Sequence, residues 1–393
     1  GSNTEAYQNN LDYYNKYGHA HAAKVGDKYS YDYYAHVLST RAWASYGFNI
    51  GGLGITVGGE VGYAKLWREG LWRKGLFPDN SKGDSRKLDY LTYKAKGNFS
   101  YRFSAAHAVE ANVVYMQEAP EFQSSFVSPR TRNTTTPGLS AERVLGVDAS
   151  YNLRYGDFKA RISGYYTRIY DQSKVISYYD DVAATFTNFA MSGLEAAVSI
   201  PIYHTLALNG AVSWGQYTYD SNPYYLQTQD NSGDIVSDGY VYWKDFRVES
   251  TPQTAVNVGL SWRSNNNIYL SADFNYYNNM YLSMSPIYRT DAVITGGMAP
   301  GDIEHLRRQE KFDSAYTLNA SIGKNWYIHR KYTLGFSLDV KNILNNQDIK
   351  TGGYEQTRLS KNTETTVTTY QAFDSKYFYM FGTTYYLNLY FRF

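Results

Sequence analysis

Cysteine is absent from all 393 residues. That excludes disulfides, thiolate metal sites and a cysteine nucleophile. Long hydrophobic runs are also missing: nothing approaches the roughly 20 apolar residues of a membrane-crossing helix, and the mean hydropathy is −0.52. A helical membrane protein is therefore excluded. A membrane β-barrel is not, because its inward polar residues dilute the hydropathy. Net charge is small, +2, and gives no argument for a nucleic-acid partner. No nucleophile–base pair, phosphate loop or paired carboxylates stand out, so an enzyme has little support. No secretion signal opens the chain, and Gly1 and Ser2 read as a cloning remnant. The expectation is a mature, trimmed or partial chain. Its length suits one large barrel or two to three soluble domains.

Tyrosine is plentiful, with 43 residues, and aromatics make up 17%. A ring with a wet hydroxyl suits a membrane–water interface, and it also suits sugar or peptide recognition. Alternation is the dominant pattern. In the closing YFYMFGTTYYLNLYFRF (377–393), Tyr385, Leu387, Leu389, Phe391 and Phe393 share one face, with Tyr386, Asn388, Tyr390 and Arg392 on the other. Period two predicts a strand with one greasy and one polar face. Chain ends normally fray into water, so a terminal phenylalanine is unusual. This ending resembles the C-terminal assembly signal of bacterial outer-membrane barrels.

Thirteen segments alternate in this way: 36–47, 52–65, 90–104, 107–118, 142–154, 157–170, 185–200, 203–219, 251–263, 266–280, 313–325, 330–342 and 376–393. The cleanest sets Tyr332, Leu334, Phe336, Leu338 and Val340 against Thr333, Gly335, Ser337, Asp339 and Lys341. The gaps at 48–51, 105–106, 155–156, 201–202, 264–265 and 326–329 are short. Those at 66–89, 119–141, 171–184, 220–250, 281–312 and 343–375 are long, and the two kinds alternate throughout. That predicts an all-β transmembrane antiparallel barrel with tight periplasmic turns and long extracellular loops. Residues 1–35 are then an extracellular loop segment, and 36–393 are barrel with a periplasmic C-terminus. Thirteen strands cannot close antiparallel, and an open edge in lipid leaves backbone groups unpaired. The expectation is the C-terminal portion of a larger plugged barrel of about 22 strands.

Four stretches carry a family resemblance: SPRTRNTTTPGLSAERVLGVDASYNLRYGDFKARISGYYTRIYDQ (128–172), SPIYRTDA (285–292), KFDSAYTLNASIGKNW (311–326) and LDVKNILNNQDIKTGGYEQTR (338–358). With the terminal strand, they resemble the C-terminal barrel part of TonB-dependent receptors of the Bacteroidetes type, over most of 36–393. The resemblance implies energised import of a scarce ligand: a siderophore, glycan, peptide or cofactor. Implied partners are outer-membrane lipids, an N-terminal plug and the remaining strands, TonB, the barrel-assembly machinery and a SusD-like surface lipoprotein. Nothing in the sequence resembles the family's plug or TonB box. A passive porin-like pore, or a barrel serving as structural partner of a surface lipoprotein, remains the alternative.

Two groups of residues are candidates for function. Lys94, Lys96, Arg102, Glu110, Asp148, Lys159, Arg161, Asp273, Asp339 and Lys341 fall on polar faces and would line the lumen or touch a plug, or simply form a hydrated wall. In the long loops, Trp72, Arg73, Phe122, Phe126, Arg130, Tyr224, Tyr225 and Trp243 combine rings with cations, a set that stacks on and pairs with ligands. Rings of an interfacial girdle or of loop packing would look the same. Asp230, Asp234 and Asp238 in one loop could hold Ca²⁺, although the EF-hand order is absent. No cofactor is expected.

Overall fold

A computed structural model describes residues 9–19, 21–177, 181–229, 233–296, 298–329, 331–361 and 368–393. Its strands, in chain order, are β1 (Tyr33–Ile50), β2 (Leu53–Gly70), β3 (Gly83–Asp84), β4 (Leu88–Arg102), β5 (His107–Glu118), β6 (Glu142–Tyr155), β7 (Phe158–Ser177), β8 (Asp181–Tyr203), β9 (Leu206–Tyr219), β10 (Tyr224–Thr228), β11 (Ile235–Tyr240), β12 (Thr254–Arg263), β13 (Ile268–Asn278), β14 (Ala315–Ile328), β15 (Tyr332–Lys341), β16 (Lys350–Lys361), β17 (Thr368–Tyr379) and β18 (Thr384–Arg392). Short helices span Leu11–Tyr17, Asp291–Ile294 and Pro300–Leu306.

The wall is a meander in the order β1-β2-β4-β5-β6-β7-β8-β9-β12-β13-β14-β15-β18, every neighbouring pair antiparallel. These are the thirteen strands that the alternation predicts. Among the described residues β1 pairs only with β2, and β18 only with β15, so the wall is an open barrel portion with two free edges.

Register turns the alternation into two continuous faces. On the apolar face, Phe391, Leu389 and Leu387 of β18 oppose Leu334, Phe336 and Leu338, and Leu338 opposes Ile322. The row continues through Leu270, Val258, Val212, Leu194, Ile162, Val147, Val113, Phe99 and Val57, all exposed. The opposite face carries ladders of polar pairs: Asn98 with Asn112 (2.7 Å), Asn112 with Asp148 (2.8 Å), Asn257 with Asn275 (2.8 Å) and Ser271 with Ser321 (2.8 Å).

The two ends differ as the gap lengths predict. At one end the turns are tight and use left-handed residues, Gly51 (φ 59°) between β1 and β2 and Gly156 (φ 58°) between β6 and β7. At the other end the long connections fold together. Tyr33 begins β1 at this loop end, and Arg392 finishes β18 at the short-turn end.

Three expectations are corrected. Residues 171–184 are largely strand, because β7 and β8 continue past the wall to Ser177 and back from Asp181. Segments 220–250 and 343–375 are not irregular loops; β10 pairs β11 and β8, and β16 pairs β17. The last wall strand starts at Thr384 rather than 376, because residues 376–379 belong to β17. Hairpin and wall strands share one periodicity, so sequence alone joins them.

Candidate ligand surface at the loop end

Burial is concentrated where the long connections meet the polar face. Phe189 of β8 and Tyr219 of β9 both lie on that face, and they pack with Tyr225, Val241 and Trp243. The Trp243 ring sits 4.9 Å from Tyr219. A second cluster joins Ala315 of β14 to Met280, Leu282, Phe312 and Ile349. The connections therefore fold over the upper polar face and use it as a floor.

Three buried arginines tie the connections together. Arg68 is 1% exposed. It donates to the Pro129 carbonyl (2.6 Å), the Ser81 carbonyl (2.8 Å) and Asn133, with Tyr33 stacked 5.2 Å away. Arg132 donates to Thr228 (2.8 Å) and lies 4.8 Å from the Phe77 ring, which joins three connections at one side chain. Arg289 makes a bidentate pair with Glu355 (2.6 and 2.8 Å) and also donates to the Leu306 and Ser285 carbonyls. A guanidinium taken out of water needs this density of acceptors. Lys74 is buried too. Its Nζ donates to Asn9 (3.3 Å) and the Ser30 carbonyl, and burial lowers its pKa to about 8.

The eight predicted loop residues divide into two sets. Phe126, Tyr225 and Trp243 are buried and form the support. The Trp243 Nε1–H is buried without an acceptor among the described residues. Phe122, Trp72 and Tyr224 are half-buried, and Arg73 and Arg130 are exposed. Phe122 stacks on Tyr33 (6.4 Å) and packs on Phe126 (5.0 Å). Arg130 lies over Tyr31 at 5.4 Å and has no carboxylate partner among the described residues. Arg73 pairs with Asp12 at 3.4 Å. Tyr224 donates to Asp238, and that bond, with burial and the carboxylate charge, raises its pKa to about 12. Tyr31 and Tyr33 complete the cluster; the signal for them in the sequence is the tyrosine-rich run YSYDYY (29–34) that leads into β1. Asp230 lies outside the described residues, and no group of three His, Asp or Glu residues that could hold a metal ion occurs among those described.

All ten predicted wall charges share the polar face. Lys94 and Lys96 oppose Glu60 and Gly58, Arg102 and Glu110 oppose Ala108 and Ser100, and Asp148 opposes Asn112. Lys159 and Arg161 oppose Ser199 and Ala197. Asp273 opposes Gly259, Asp339 opposes Ser321, and Lys341 opposes Thr384. High on this face the charges are paired: Arg41 with Glu60 (3.4 Å) and Glu118 (3.1 Å), and Lys94 with Glu118 (3.7 Å). Tyr385, Leu387, Leu389 and Phe391 lie on the apolar face opposite Val340, Leu338, Phe336 and Leu334, and Phe393 lies just beyond the strand.

No protein-family model matches the sequence, and no curated protein is similar to it. Solved structures are similar in fold. The copper transporter OprC superimposes with a TM-score of 0.59 at 10% identity, covering 90% of this chain and 49% of that one. The ferric yersiniabactin uptake receptor FyuA from Yersinia pestis gives 0.56 at 12% identity, covering 91% and 46%. The ferric-catecholate import receptor Fiu from E. coli K12 gives 0.55 at 13% identity, covering 92% and 45%. The chain spans about half the length of these structures.

Proposed function

We propose that this chain is the C-terminal part of the barrel of a TonB-dependent outer-membrane transporter. The observation that carries the reading is the exposed apolar face running across all thirteen strands, backed by a polar face and capped by interlocked connections at one end only. An apolar surface of that extent belongs in a nonpolar solvent. The fold likeness to import receptors agrees. In this reading the apolar face meets lipid, the polar face lines the lumen, the connections lie outside the cell, and Phe393 lies on the periplasmic side. TonB acts through the part of the barrel that carries the plug, and the chain is not an enzyme. Outer-membrane lipids and the barrel-assembly machinery are its general partners. A SusD-like lid belongs to the Bacteroidetes version of the reading.

The ligand surface consists of Trp72, Arg73, Phe122, Arg130 and Tyr224 with Tyr31 and Tyr33, held from beneath by Phe126, Tyr225 and Trp243. Arg130 and the phenol rings suit an anionic ligand with a planar group. The names of the similar structures point to a ferric or copper chelate. The test is uptake by cells carrying the full gene product, with and without TonB. Arg130→Ala should weaken ligand binding about tenfold with normal surface assembly. Uptake independent of TonB contradicts the reading.

A further inference from the structure

One hairpin at the loop end has an open side. β10 pairs with β8 on one side and with β11 on the other, whereas β11 pairs only with β10 among the described residues. β8 stands in the middle of the wall, with six wall strands on either side. The open side of β11 is therefore remote from the free edges of β1 and β18. The β16–β17 hairpin differs, because it runs straight into β18. Ladder phase shows which backbone groups of β11 are open. Val241 donates to the Pro223 carbonyl (2.9 Å). In an antiparallel pair, successive residues turn their N–H and C=O to opposite sides. Gly239 and Ser237 therefore face β10, opposite Tyr225 and Gln227, while Asp238 and Tyr240 point away from it. Tyr242, next in that outward series, donates to the Arg289 carbonyl (2.8 Å), and Thr290 bridges Val241 antiparallel. The edge thus already accepts two residues of another segment. That segment then leaves, turning into a helix at Asp291. Past it, no backbone partner occupies the outer side of Asp238 or Tyr240 among the described residues.

The side chains around these groups select an occupant. Ile235, Val236 and Tyr240 are each more than half exposed. Asp238 is exposed and accepts from the Tyr224 phenol. The Asp291 carboxylate lies so close to Gly239 that a Cβ there would be 2.3 Å from its Oδ1. Neither carboxylate has a cation within ion-pair distance among the described residues. A second copy of β11 would bring carboxylates together, and charge on an edge strand opposes self-pairing in this way. A small solute would leave the alternating N–H and C=O groups unmatched. An extended chain matches them, and Lys or Arg on it would meet Asp238 and Asp291.

We propose that the outer edge of β11 takes up, by strand addition, an extended segment of a separate polypeptide that carries Lys or Arg beside β-branched residues. The guest runs antiparallel to β11, in line with residues 289–290, with its apolar side chains against Ile235 and Val236. The inference goes beyond the transport reading and takes from it only that the loop end is open to soluble proteins.

The experiment uses the full gene product in lipid nanodiscs, with the photocrosslinker p-benzoylphenylalanine at position 235. The probe is a fluorescent peptide, Lys-Val-Thr-Val-Thr-Val-Lys. The expected result is saturable, light-dependent capture of the peptide, half-maximal at or below about 1 mM. N-methylation of all its backbone amides should cut capture at least about fivefold. Exchange of both its lysines for glutamates should cut capture about threefold, and Asp238→Lys should reverse that preference. The methylated peptide leaves the protein unaltered, so its result is independent of how the variant folds. Capture indifferent to methylation, or to the exchange of lysine for glutamate, overturns the proposal. So does no capture by protein that has assembled normally. Crosslinks that join two copies of the protein through position 235 assign the edge to a second copy and overturn it too. None of these outcomes bears on the barrel reading.

Discussion

In the wall, Leu334, Leu387 and Leu389 stand exposed on the apolar face; at the loop end, Leu282, Leu306 and Ile349 are almost wholly buried. The same residue types serve two solvents. Wall leucines have no core to join, because the sheet is one layer thick and its other face is polar. In the proposed reading their burial comes from lipid. Loop-end leucines pack under water-facing connections, as in any soluble domain, and arginines that look like surface cations in sequence become the fasteners. Stability at the loop end should therefore depend on packing and paired charge. Stability in the wall should depend on side-chain identity according to face.

The largest effect is expected where a buried charge loses its partner. Glu355→Leu leaves Arg289 unpaired, at a local cost of about 3–5 kcal/mol. Hydrogen exchange should accelerate at the amides of 279–314 and 350–379, while amides of β4 to β6 keep their protection. A uniform loss of protection would mean that wall and loop end are one cooperative unit. Trp243→Ala should cost about 3–5 kcal/mol by leaving a cavity against Phe189 and Tyr219. The readout is protease nicking within 220–250.

In the wall, Leu338→Arg should cost about 2–4 kcal/mol near the membrane midplane, measured by refolding into lipid vesicles. Asp339→Asn, one residue along, should cost less than about 1 kcal/mol, because it lies on the polar face, opposite Ser321. Equal costs would erase the distinction between the faces. The smallest effect is a pH dependence. Burial lowers Lys74 from its ordinary 10.5 to about 8 in the folded protein. Between those values the unfolded chain holds the extra proton, so loop-end stability rises with pH across that window. Below about 8 the cost of the buried charge is fully present. Protease resistance of the 66–89 connection should increase from pH 7 to pH 10, and Lys74→Met should flatten that increase.

The wall was legible in the sequence because its signal repeats. In 332–341 and 385–393 every second residue is apolar, and only one register puts Leu334 opposite Phe391 and Leu338 opposite Leu387. Charges placed on polar faces by counting, from Lys94 to Lys341, share one face in the structure for the same reason. The loop end was less legible. Residues 376–379 run straight on into the last wall strand, and nothing local marks them as part of a hairpin outside the wall. Phe126, Tyr225 and Trp243 suit ligand stacking and loop packing equally in the sequence, because aromatic residues in long loops carry no mark of burial. Arg68 and Lys74 carry no mark of burial in the sequence; their acceptors, at Pro129, Asn133 and Ser30, are distant in sequence and meet them only in the fold.

The central claim is that the apolar face meets lipid and the polar face meets water. No residue of this chain is a cysteine, so none of its 393 positions competes with a single nitroxide label. Labels at positions 322, 338 and 387 on one face, and 321, 339 and 386 on the other, would be placed in the full gene product reconstituted in lipid. Relaxation by oxygen, which concentrates in the bilayer, and by a water-soluble nickel complex would then be compared at each site. The account predicts oxygen-dominated relaxation at 322, 338 and 387 and nickel-dominated relaxation at 321, 339 and 386. The reverse pattern, or no alternation between neighbouring positions, would contradict it.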